Sequence, residues 1–104
     1  MGKKLKYIHA IKKFLRDYAN IPDDSENIHY EVVADKESGN FCLIRFGEDE
    51  EQWTHHCVFH FKLINDKVVV LQNWTDLKLE EELAALGIDR ADINPQLYES
   101  PIAA

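Results

Sequence analysis

The sequence predicts an α+β domain: an N-terminal helix, a four-stranded antiparallel meander and a C-terminal helix. Three observations predict it. Apolar residues recur at helical spacing from about Lys4 to Ala19. Alternating segments separated by short polar turns fill residues 28–74. Leucines then fall at i, i+4 and i+7 between Leu79 and Leu86. At 104 residues the chain is long enough for one domain, and no linker or repeat divides it.

In the first segment Tyr7, Ile8, Ile11, Phe14, Leu15 and Tyr18 fill one helical stripe. Lys6, His9, Lys12, Lys13 and Arg16 fall opposite, and Asn20 and Pro22 end the run. Residues 23–27 read as a polar loop. Ile28, Tyr30, Val32 and Ala34 alternate with His29, Glu31, Val33 and Asp35, a strand with one wetter face. Lys36 to Asn40 reads as a turn, and Phe41 to Phe46 as a second strand. Gly47 and the acids Glu48 to Glu51 are expected to form the next connection. Trp53 to Ile64 is a long third strand. Strict alternation puts Trp53, His55, Cys57, Phe59, Phe61 and Leu63 on the core face. It puts Thr54, His56, Val58, His60, Lys62 and Ile64 on the other.

Asn65-Asp66 turns the chain into a fourth strand, Lys67 to Trp74. Thr75 or Asp76 is placed to cap the second helix, Glu80 to Glu82 suit its first turn, and Gly87 suits its end. The segment from Asn94 reads as irregular. Both helices are expected on one sheet face. The fourth strand is apolar on both sides, so Val58, Ile64, Val69 and Leu71 become a candidate face for a homo-oligomer. The alternative is that the C-terminal tail covers it.

Charge narrows the function classes. Net charge is −7, but residues 1–22 hold six basic groups against one acid, and the rest hold six against 18. Such a chain is no general nucleic-acid binder. Only Lys6, Lys12, Lys13 and Arg16 form a candidate contact for a phosphate backbone or an acidic partner. No apolar run spans a bilayer and no apolar stretch follows the N-terminal lysines, so a cytoplasmic protein without membrane contact is expected. Two cysteines make no disulfide framework; Cys42 and Cys57 are expected as buried free thiols.

No metal, cofactor or catalytic residue is expected. His55 and His56 point to opposite faces. His56 and His60 share one on strict alternation, but stand about 13 Å apart along a strand, too far for one ion. There is no HExxH or CxxC spacing, no calcium loop and no glycine-rich phosphate cradle. A non-enzymatic protein is the expectation.

Several stretches carry a family resemblance. They are His56-Cys57-Val58-Phe59-His60-Phe61-Lys62-Leu63-Ile64-Asn65-Asp66-Lys67-Val68-Val69-Val70-Leu71-Gln72, then Asn73-Trp74-Thr75-Asp76, Glu82-Leu83, Leu86-Gly87-Ile88 and Asp92-Ile93. With Tyr7, Ile11, Leu15 and Tyr18-Ala19 they resemble the XisI-like family, the fdxN element excision controlling factors of cyanobacteria. The likeness spans roughly residues 5–93 and lies in the ordered pattern, because no single motif is catalytic. Phe46-Gly47 leading into four acids, and Thr75-Asp76 in place of Thr-Glu, depart from the family pattern. The resemblance implies a regulator of programmed DNA excision by a site-specific recombinase. It also implies a partner, the nuclease-like XisH protein often encoded beside family members.

Overall fold

The computed structural model describes residues 2–22 and 27–94. Helix α1, Lys3–Ala19, lays Tyr7, Ile8, Ile11, Phe14 and Leu15 on the sheet, as its periodicity requires. Strands β1 (Ile28–Asp35), β2 (Asn40–Asp49), β3 (Gln52–Ile64) and β4 (Lys67–Asn73) form the antiparallel meander. Helix α2, Leu79–Ala85, follows. A 3-10 turn at Arg90–Asp92 then leads into a two-residue strand, β5, Ile93–Asn94. This fifth strand was not expected. It pairs parallel to β4, so the sheet order is β1-β2-β3-β4-β5. Its two residues are too few for a sequence period. Asn94, expected to open an irregular tail, belongs to this strand; residues 95–104 lie outside the described residues.

The connections are tighter than the sequence suggests. Gly47 is inside β2, and the reversal is made by Glu50 and Glu51 alone, at φ 50° and 67°. Asn65 and Asp66, at φ 50° and 61°, make the equivalent turn between β3 and β4. Two residues in the left-handed region match the twist of a hairpin.

The third strand corrects the expected alternation. Leu43 pairs with Phe59 and Ile44 with Cys57, so Val58 is an extra residue in β3. The bulge turns Val58 into the core, where it is only 4% exposed. Val58 therefore leaves the candidate oligomer face. Beyond the bulge the pattern inverts: Trp53, 68% exposed, stands with Cys57 on the outer face. His56 shares the inner face and His60 the outer, the reverse of strict alternation for His56.

Helix α2 also starts later than its capping residues suggest. Asn73 Oδ1 accepts from the Thr75 amide and hydroxyl, and Thr75 Oγ1 accepts from the Leu77 amide. These residues build a turn ahead of the helix instead of a cap. Lys78 occupies the cap position with no side-chain bond. At the other end Gly87, at φ 104°, does terminate the helix. The Ile88 amide donates to Leu83 O and the Gly87 amide to Ala84 O, a Schellman motif. Leu83 and Ile88 are both buried beneath it.

Candidate functional site

The helices cover one sheet face, and the chemistry-bearing side chains divide among three places. The first is a polar staple at one end of α1. Asp92, only 8% exposed, accepts from the Tyr7 hydroxyl. Lys3 Nζ lies 2.9 Å from the carboxylate and Lys67 Nζ 3.4 Å. The Tyr7 oxygen in turn accepts from the Asp89 amide at 3.2 Å. One carboxylate thus joins α1, β4 and the 3-10 turn, and it holds β5 in place. Nothing periodic marks Asp92, because its partners lie far away in sequence.

The Tyr7 hydroxyl, then the Lys3 ammonium, hold the Asp92 carboxyl down to about 2. A carboxyl that ionises more readily folded than unfolded stabilises the fold above its unfolded pKa, near 4. That contribution drains away as pH falls through about 2. Wild-type stability is therefore expected to fall between roughly pH 4 and pH 2, and Asp92→Asn to flatten that fall. Urea midpoints measured across this range check it. An unchanged pH slope in Asp92→Asn would contradict the assignment.

The second place is the exposed side of α1. Lys6, Lys13 and Arg16 are exposed, as expected, but Lys12 is half-buried on the other flank. Lys6 and Lys13 line a shallow groove with Lys3, His9 and Leu86. Lys13 is paired with Asp17 at 3.0 Å. The four candidate cations therefore do not form one even patch. Farther along the α1–α2 groove, Asp17, Asp76 and Glu82 rim a floor of Phe14, Tyr18, Leu77 and Leu86.

The third is the outer sheet face. The candidate residues Ile64 and Val69 are at least partly open there, Ile64 at 45%, whereas Leu71 is half-buried and unpaired at a register shift between Val70 and Gln72. Val33 joins them at 50% exposed, with Ile44 and Phe46 half-buried between. Cys42 and Cys57 meet near the centre as free thiols. Burial, then the neighbouring Cys42, pushes the Cys57 thiol up to about 11, which suits an inert thiol. Cys57 also donates to Phe59 O, and His60 Nε2 is 3.0 Å from Asn40 Oδ1.

No group of three or more metal-ligating side chains converges among the described residues. On the inner face His56 packs against Trp74, with ring centroids 4.0 Å apart. Its Nε2 is buried without a hydrogen-bond partner among the described residues. Burial, the largest cause, lowers its pKa, so the neutral ring is favoured. No helix of the described residues is long and apolar enough to cross a membrane.

These features define a class: an α+β domain with two helices on one face of a meander and, among the described residues, no helix on the opposite face. Within that class the chain belongs to the XisI family, whose model, described as XisI protein, matches residues 1–100. It is similar to a XisI-like protein of Anabaena variabilis ATCC 29413, at 27% identity and TM-score 0.79. That match covers 95% of this chain and 90% of the other. A second structure from the same organism is the fdxN element excision controlling factor XisI. It matches at 19% identity and TM-score 0.70, over 88% of this chain and 84% of the other, a likeness of fold alone. No curated protein matches the chain.

Proposed function

We propose that this chain is a non-enzymatic accessory factor that controls excision of a DNA element by a site-specific recombinase. It acts through protein contact, with an XisH-like protein as partner. The family match over residues 1–100 carries the reading. The fold neighbour named as the fdxN element excision controlling factor XisI agrees with it. The site chemistry supports binding over catalysis. Asp92 is tied into structural contacts with Tyr7, Lys3 and Lys67, and the Cys57 thiol with Phe59 O. The reading assigns no cofactor.

Deleting the gene in a cell that carries such an element tests this. The rejoined chromosomal junction, followed by quantitative PCR, is expected to fall to background and to return with the wild-type gene. Junction formation at the parental level in the deletion strain would overturn the reading.

The same assay weighs direct DNA contact, which the exposed Lys6, Lys13 and Arg16 favour. A charge-reversal set at Lys6, Lys12, Lys13 and Arg16 is expected to restore excision. If those four groups instead neutralised phosphates, log affinity for duplex DNA would fall with log salt at a slope of roughly −3.6.

A further inference from the structure

We infer that the groove between α1 and α2 seats an amphipathic helix of another protein, one that carries acids at one end and Lys or Arg at the other. The inference rests on the reading that this chain acts by protein contact, but not on the excision role.

The groove is a seam between two helices that lie on the same sheet face. Ala10, small and buried, stands beside Leu86 at its middle. Phe14, Tyr18 and Leu77 continue the floor towards the end of α1, where Ile21 is 56% exposed. Leu86 lines both hollows of the seam, so they form one surface. Lys6 and Asp17 mark its two ends on α1. At the rise of an α-helix they stand about 16 Å apart, or about three turns. An apolar seam of that length receives a helix through side chains at i, i+3 or i+4, and i+7.

The charges left over inside the chain select the occupant. Lys3 is already paired with Asp92, and Lys13 with Asp17. Lys6 remains at one end of the seam, and Asp76 and Glu82 at the other. None of these three has an ion-pair partner among the described residues, and Lys78, one turn before Glu82, makes no ion pair with it. An occupant therefore needs a base over Asp76 and Glu82 and an acid over Lys6.

The chain itself does not supply that pattern. Residues 23–26 and 95–104 hold four acids between them, Asp23, Asp24, Glu26 and Glu99, and no Lys or Arg. Neither stretch can neutralise Asp76 and Glu82. A second copy offers its cation cluster on α1, whose apolar stripe is buried against its own sheet. It would bring charge without anchoring side chains. A separate helix with acids in its first turn and bases in its last, the arrangement its own dipole favours, meets both ends of the seam when it runs parallel to α1.

Two labelled synthetic peptides of about three to four turns test this against the full chain by fluorescence anisotropy. Both carry leucines at i, i+4 and i+7. One has Glu in its first turn and Lys in its last, and the other has the two exchanged. The acid-first peptide is expected to bind roughly ten-fold more tightly than the exchanged one at low salt, and the gap to shrink as salt rises. Asp76→Lys with Glu82→Lys is expected to invert the preference, and Lys6→Glu to reduce it. Glu81→Lys, exposed on α2 but outside the seam, is expected to leave it unchanged. Urea midpoints near the wild type confirm that the variants fold. Binding of neither peptide, equal binding of both, or a preference that survives both the double variant and Lys6→Glu overturns the inference. Sedimentation equilibrium showing a dimer that the double variant dissociates assigns the seam to a second copy and overturns it equally. The assay contains no recombinase and no DNA, so its failure is distinct from failure of the excision reading, which the gene deletion tests.

Discussion

Phe59→Ala is expected to lower the free energy of unfolding by about 3–5 kcal/mol. Phe59 is fully buried at the point where α1 meets the sheet. Phe14 approaches it edge-on at 5.1 Å between centroids, and Tyr18 at 5.0 Å. Phe61 stacks at 5.9 Å. Removing the ring deletes its transfer energy and leaves a cavity among three large side chains that cannot all collapse into it. The position also follows the bulge at Val58, so the two neighbouring buried side chains loosen together. Urea unfolding by tryptophan fluorescence measures the change. A loss below about 1 kcal/mol would mean that the α1–sheet contact is not the core of the fold.

Gly47→Ala is expected to be comparably severe, about 3 kcal/mol or more, although it adds one methyl group. Gly47 has φ +139°, which side chains rarely adopt. A Cβ there would stand 1.9 Å from the carbonyl oxygen of Asn27 and 2.9 Å from its carbon. Both obstacles are backbone, and the Glu48 amide donates to that same oxygen at 3.2 Å. The entry to β1 and the far end of β2 must therefore separate for the variant to fold. Gly2→Ala is the contrast, since a Cβ there has nothing nearer than 4.0 Å. Its midpoint is expected to stay close to the wild type in the same urea series. Equal midpoints for the two variants would contradict this account of Gly47.

The elements readable in the sequence are those with a local physical signature. The α1 stripe is a period of 3.6, and Asn65-Asp66 and Gly87 mark backbone reversals that few residue types tolerate. The bulge has no such mark: Val58 and Phe59 are both apolar, and an extra inward residue looks like ordinary alternation until its partners are known. One unread residue was enough to invert the facing of Trp53 to Cys57 and to remove Val58 from the outer surface. The Asp92 staple was unreadable for a different reason. Its partners Lys3 and Tyr7 belong to the other end of the chain, and Lys67 to β4. A buried acid is recognisable only once the cations around it are in place. Of the candidate surfaces, α1 exposes Lys6, Lys13 and Arg16, whereas Lys12 is half-buried because it lies beside the apolar stripe. Ile64 and Val69 lie outside the core, on the surface that also carries Val33 at 50% and Trp53 at 68% exposed.

The central claim is that the chain works by holding a protein partner in an excision system. A tagged pull-down from the native cell, with the eluate divided between protein identification and nucleic-acid recovery, tests it most directly. The account predicts an XisH-like, nuclease-like protein in the eluate without bound DNA. Recovery of DNA that salt releases, with no such protein, would contradict it and assign the function to the basic residues of α1.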